Sequence, residues 1–169
     1  MKPLALTLTT KLISMKYFSL IFCLFVITSC DSQTSKEFAD KAEAKYNSND
    51  FIGAVSEFDK AIALDSTSSI LYLKRGNAKF SLEDNKNALR DYNRAVYLNT
   101  TNPENYVARG NSKLNLSDYQ GAVADFDIAL AAKPFAEAYY GRAVAKINLN
   151  DYSAAISDYT EAMESEFQF

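Results

Sequence analysis

Small, aromatic and polar positions between Phe38 and Met163 fall into one pattern that returns four times, at intervals of 34, 34 and 33 residues. Small residues stand at Ala42, Gly76, Gly110 and Ala143, each preceded four positions earlier by an aromatic: Phe38, Tyr72, Tyr106 and Tyr139. Twelve positions after the small residue comes an alanine (Ala54, Ala88, Ala122, Ala155). A second aromatic follows (Phe58, Tyr92, Phe126, Tyr159), and then a second alanine (Ala61, Ala95, Ala129, Ala162). A fixed period of this length marks an array of stacked units that usually presents a surface rather than running a reaction.

Within each unit the spacing is helical. Phe38, Ala42 and Tyr46 share one face of a first helix, and Ala54, Phe58, Ala61 and Ile62 share one face of a second. Turn residues separate the two runs at Asn47 to Asp50, Glu83 to Asn85, Ser117-Asp118 and Asn150-Asp151. Polar, mostly proline-bearing stretches separate the units at Asp65 to Ser69, Asn99 to Pro103 and Lys133-Pro134. Thr34 with Glu37, and Ser117 with Gln120, have capping-box spacing, and Pro103 suits a first helical turn, where a missing N–H costs nothing. Each unit is therefore expected to be two antiparallel helices, with small residues where the backbones approach. One pair cannot bury its apolar face, and about three stacked units are needed.

Charged residues keep the same register. A cation precedes each small residue (Lys41, Arg75, Arg109, Arg142), and an acid stands sixteen residues after it (Glu57, Asp91, Asp125, Asp158). The expectation is an ion pair bracing each unit across its two helices. Lys45, Lys79, Lys113 and Lys146 recur as well, and read as stems laid over apolar surface with the amine in water. Asn85 stands where the other units have Phe51, Tyr119 and Tyr152, which predicts a looser helix turn in the second unit.

The N-terminal segment follows a different pattern. Tyr17 to Ile27 is almost wholly apolar, with Lys16 before it and Thr28-Ser29-Cys30 after it. That run is too short to span about 30 Å of hydrocarbon as a helix. A positive start, a short apolar core and small residues at its end describe a secretory signal. Ile27-Thr28-Ser29-Cys30 resembles the lipobox of bacterial lipoproteins, which implies cleavage before Cys30 and acylation of Cys30. Two or three acyl chains hold a protein on a membrane durably, whereas one does not. Met15-Lys16 is the more typical opening of such a signal than Met1, so the start is open between them. Residues 1–29 are assigned to the signal and 30–35 to a lipidated tether.

Composition excludes several functions. From Cys30 onward there are 15 cations against 21 acids, a formal charge of −6, which is the wrong sign for a nucleic-acid binder. With no histidine, and Cys23 and Cys30 as its cysteines, the chain offers no His-based catalysis, Cys–His nucleophile, zinc site or disulfide framework. No phosphate loop or nucleophile elbow appears. The reading is of a non-enzyme that needs neither cofactor nor metal.

The aromatic, the small residue, the Ala-x-x-x-aromatic and the later alanine strongly resemble the tetratricopeptide repeat, over residues 35–169 and in four copies: 35–68, 69–102, 103–135 and 136–169. Phe or Tyr replaces the family's tryptophan, and its terminal proline appears as Pro134. The resemblance implies an all-α fold, a right-handed superhelical solenoid of four helix-turn-helix repeats. Its first helices would line a groove for an extended peptide or a partner helix, here at Leu73, Lys74, Asn77, Glu104, Val107, Asn111, Tyr140 and Val144. Asn77 and Asn111 occupy matching places, and an amide can hold a peptide backbone in either sense; they read equally well as ordinary polar residues on an exposed face. The family's carboxylate clamp needs a lysine where this chain has Ala39, so binding of acidic chaperone tails is not expected.

The last helix would show Tyr152, Ile156, Tyr159 and Met163 on a free side, followed by Phe167 and Phe169. That side is open to self-association or another partner, to cover by the terminal Phe residues, or to continuation of the array in a longer protein. The leading reading is a membrane-anchored interaction scaffold of the bacterial envelope, with an unidentified protein or peptide partner. The alternatives are a self-assembling structural lipoprotein, or the anchored fragment of a longer repeat protein.

Overall fold

The computed structural model of the chain describes residues 34–134 and 136–166. The signal segment, Met15, Cys30, most of the tether, Phe167 and Phe169 lie outside the described residues. Among those described there are eight helices and no strand. They are α1 (34–47), α2 (Phe51–Leu64), α3 (Ser69–Ser81), α4 (Asn85–Leu98), α5 (Pro103–Asn115), α6 (Tyr119–Ala132), α7 (Ala136–Asn148) and α8 (Tyr152–Glu166).

From α2 onward each helix packs on the next in sequence, and α5 also touches α3 and α7; Phe38 and Ala42 of α1 share a core with Ala54 and Phe58 of α2. The chain is thus a row of helix pairs, an all-α solenoid. The repeated small residues explain the close approach. Ala42, Ala54, Ala61, Ala88, Ala95, Ala122, Ala129 and Ala143 have no exposed surface. A methyl group added at Gly76 would lie 2.5 Å from the Tyr92 ring, and one at Gly110 would lie 2.8 Å from Phe126. Helix and ring meet there at a distance only glycine permits. Phe58, Tyr92 and Phe126 fill the space between helices with at most 1 % exposure, while Tyr159 in the last unit is only half-buried.

Inside each unit the helices are joined by one repeated turn. Asn49, Glu83, Ser117 and Asn150 have φ between 61° and 64°, the left-handed region. The next residue, Asp50, Asp84, Asp118 or Asp151, caps the following helix by accepting a backbone N–H three residues on. Ser117 is therefore the left-handed residue and Asp118 the cap, a correction to the capping-box expectation. Pro103 opens α5 as expected, behind the Asn102 cap.

Three of the four expected ion pairs form. Arg75, Arg109 and Arg142 each grip Asp91, Asp125 and Asp158 with two bonds, 2.9 Å from Nε and 2.6 Å from Nη2. Those carboxylates are 2–4 % exposed. Lys41 does not join Glu57: it sits over the Phe38 ring, and Glu57 bonds Lys60. A flexible ammonium and a longer acid do not form the planar, two-pronged pair that Arg and Asp make.

The recurring lysines also differ from expectation in three places. Lys79, Lys113 and Lys146 lie 2.7–2.8 Å from the same buried aspartates rather than in water. A carboxylate removed from solvent has lone pairs that one guanidinium leaves unfilled, and the lysine fills them. Lys45 is the exception, meeting Asp50 at the surface. The second unit is not loose: α3 packs on α4 as extensively as the other pairs do. Asn85 Oδ1 accepts from Asn115 Nδ2 at 3.0 Å, and its own Nδ2 donates to the Glu83 carbonyl. A polar link thus takes the place of the ring.

Candidate functional site

Because α3, α5 and α7 adjoin, their free stripes merge into one side of the array, and α1 completes it. A cavity of about 330 Å³ lies there, lined by Leu73, Asn77, Glu104, Val107 and Asn111 among the expected groove residues. Tyr46, Phe80, Ser81, Tyr92, Ala108 and Glu137 complete the wall, so that α1, α3, α4, α5 and α7 all contribute. Leu73 and Val107 are 6 % exposed and form an apolar floor rather than a gripping edge. A second cavity of about 210 Å³ adjoins, with Lys74, Glu43, Asn47 and Phe58, and shares Tyr46 and Asn77 with the first. Tyr140 lines a third, of about 480 Å³, with Tyr159 and Met163 between α7 and α8. Val144 lines none of the three; it is half-buried, and its carbonyl accepts from Asn148.

The two central asparagines are engaged differently from each other. Asn77 Oδ1 accepts from the Tyr92 hydroxyl at 2.9 Å, and Asn77 lines both the first and the second cavity. Asn111 Nδ2 donates to Glu137 Oε1 at 2.9 Å and so fixes that carboxylate from the neighbouring helix. Burial pushes the Tyr92 phenol above its ordinary value of 10.0, and the charges of Asp91 and Glu137 push it further, so it remains a donor at any physiological pH. Lys74 pairs with Glu43, and Tyr46 reaches Ser81 at 3.3 Å.

Sequence reasoning missed Tyr92 and Glu137. The first was placed in the core because its counterparts are Phe58 and Phe126. A hydroxyl where the neighbouring units carry none was the available signal. Glu137 carried no such mark, because its role depends on the approach of α5 to α7.

The Arg–Asp–Lys clusters line none of these three cavities and brace the helix pairs instead. Among the described residues no group of three or more His, Cys, Asp or Glu is placed to hold a metal ion. No helix there is long and apolar enough to cross a membrane.

Two family models match the chain, both described as tetratricopeptide repeat, over residues 70–102 and 107–166. The chain belongs to the tetratricopeptide repeat family. Solved structures of such folds superimpose well. A crystal structure of MamA matches with a TM-score of 0.74 at 20 % identity, covering 93 % of this chain and 92 % of that one. The tetratricopeptide repeat domain of Arabidopsis OM64 matches at 0.61 and 25 % identity, over 73 % and 97 %. The first such domain of Spaghetti, bound to the HSP90 peptide SRMEEVD, matches at 0.61 and 24 %, over 75 % and 95 %. Among curated proteins none matches this repeat protein in sequence.

Proposed function

We propose that this tetratricopeptide repeat protein is a non-enzymatic interaction scaffold, held by a lipid on Cys30 at a membrane of the bacterial envelope, whose groove receives a segment of a partner protein. The observation that carries the groove is its furnishing. The Arg–Asp–Lys clusters spend their charges on bracing, whereas the cavities are lined by Asn77, Glu104 and Glu137, polar groups not spent on that bracing. The Spaghetti domain, of the same fold, is bound to a peptide. An extended chain seated along first helices would meet side chains from successive units at a regular step. Support for the anchor comes from the apolar run and Ile27-Thr28-Ser29-Cys30.

Crosslinking in the native envelope followed by mass spectrometry tests both halves. A partner captured through Asn77 or Asn111, together with an acylated Cys30 peptide, is the expected result. Release of the protein from the membrane by Cys30→Ser supports the anchor, and unchanged retention argues against it.

A second reading, self-association, is favoured by one observation. Tyr152, Ile156 and Met163 on α8 are 58–67 % exposed, whereas Ile62 and Val96, the counterparts of Met163, are covered by the next unit. Light scattering that finds only monomers at high concentration would remove it.

A further inference from the structure

The central cavity has a charge and ring content that points to one class of occupant. Glu104 and Glu137 line it, no lysine or arginine does, and Tyr46 and Phe80 share its wall. Lys74, which lines the adjoining cavity, is already paired with Glu43. Glu104 is exposed and makes no side-chain bond among the described residues, while Glu137 is held in place by Asn111. Both acids lie in the first turn of their helices, where a carboxylate also favours the helix dipole. The repeat shows that the fold does not demand them: the same position is Lys36 in the first unit and Ile70 in the second. Acids therefore appear only where the register brings them into this cavity.

Two carboxylates in a wall that also carries aromatic side chains attract an organic cation, chiefly through charge-assisted hydrogen bonds and to a lesser degree through the rings. A bare metal ion is disfavoured, because the cavity lacks the convergent oxygen set such an ion takes.

We infer that the central cavity receives a lysine or arginine side chain of the bound partner segment, so that the scaffold selects basic rather than acidic peptides. Val107 and Leu73 supply an apolar floor for the methylene stem, and Asn111 acts as a positioning residue for Glu137. The inference rests on the groove reading above.

The test uses the full chain, immobilised and panned with a random-sequence peptide library. The expected result is enrichment of peptides sharing one Lys or Arg. Their affinity should fall roughly tenfold in Glu104→Gln/Glu137→Gln, and should weaken with added salt in the parent chain. Glutamine keeps the acceptor that Asn111 uses, and circular dichroism confirms that the double variant folds. Enrichment of peptides without a basic residue, abolished by the cavity-filling Ala108→Trp, would overturn the charge inference and leave the groove standing. Failure to enrich any peptide, or binding indifferent to both variants, would overturn both.

Discussion

Replacing Arg109 with methionine removes three things from the third unit: two bonds to Asp125, a contact with Asn93 Oδ1 at 3.3 Å, and the guanidinium 5.3 Å from the Tyr106 ring. Asp125 is 2 % exposed and cannot turn to water. Stripping the whole partner set from such a carboxylate costs about 3–5 kcal/mol. Here Lys113 remains at 2.8 Å, and methionine still covers the apolar surface under the arginine stem, so part of that loss is spared. The expected cost is about 2 kcal/mol. Urea denaturation followed by circular dichroism measures it, with hydrogen exchange to report each unit separately, because repeat arrays do not always unfold in one step. A matched control lies in the same chain. Lys41→Met alters the same register in the first unit, where no pair to Glu57 exists, and should cost about 0.5 kcal/mol or less. Equal effects of the two substitutions, or no coupling between Arg109→Met and Asp125→Asn in a double-mutant cycle, would refute the bracing argument.

Glu83 adopts φ 61° without being glycine or asparagine, so Glu83→Gly should stabilise the chain by about 0.5 kcal/mol, the relief of left-handed strain exceeding the added freedom of the unfolded chain. Asn49→Gly should change the urea midpoint less, since asparagine visits that region readily. Arg75 and Arg142 reach back to the preceding unit through Asp59 and Asp127 at 2.6 Å, whereas Arg109 meets Asn93. Asn93→Asp should therefore strengthen the middle junction by about 0.3–1 kcal/mol, a gain that about 1 M salt should erase in the same urea assay. For Asp158, burial raises the carboxyl pKa, but hydrogen bonds from Arg142 and Lys146 outweigh it and hold the group below 3.8. A depressed folded value gives stability that is full above the unfolded pKa and is lost as pH falls through the folded one. The α7–α8 pair should accordingly loosen below about pH 4. Hydrogen exchange across an acid titration reads this, and Asp158→Asn should flatten that window.

Much of the fold was legible because the repeat states it four times. Gly76 and Gly110 stand where a ring from the second helix presses on the first, and a contact that tight admits only a small residue, glycine in the middle two copies and alanine in the outer two. Arg75, Arg109 and Arg142 with their aspartates were legible for the same reason: a fixed separation of sixteen residues places the partners across one helix pair. The lysines at 79, 113 and 146 were misread. Periodicity locates a side chain on a face, yet does not say whether a buried carboxylate there still has lone pairs to fill. Of the expected groove residues, Val144 lines no cavity, and Leu73 and Val107 serve as floor.

Sequence alone determined the helix pairing, the register of the array and the three Arg–Asp braces, because each is a contact within one unit or between similar neighbours, repeated at fixed spacing. Tertiary structure decided the character of the groove. Tyr46 and Glu137 belong to the first and last units and share one cavity only because the packing of the helices between them brings them together. Whether Asn77 and Asn111 are free or committed depends on Tyr92 and Glu137, which reach them from other helices. Which helices come to share a cavity is the sum of many packing angles between helices, and no single residue spacing encodes that sum.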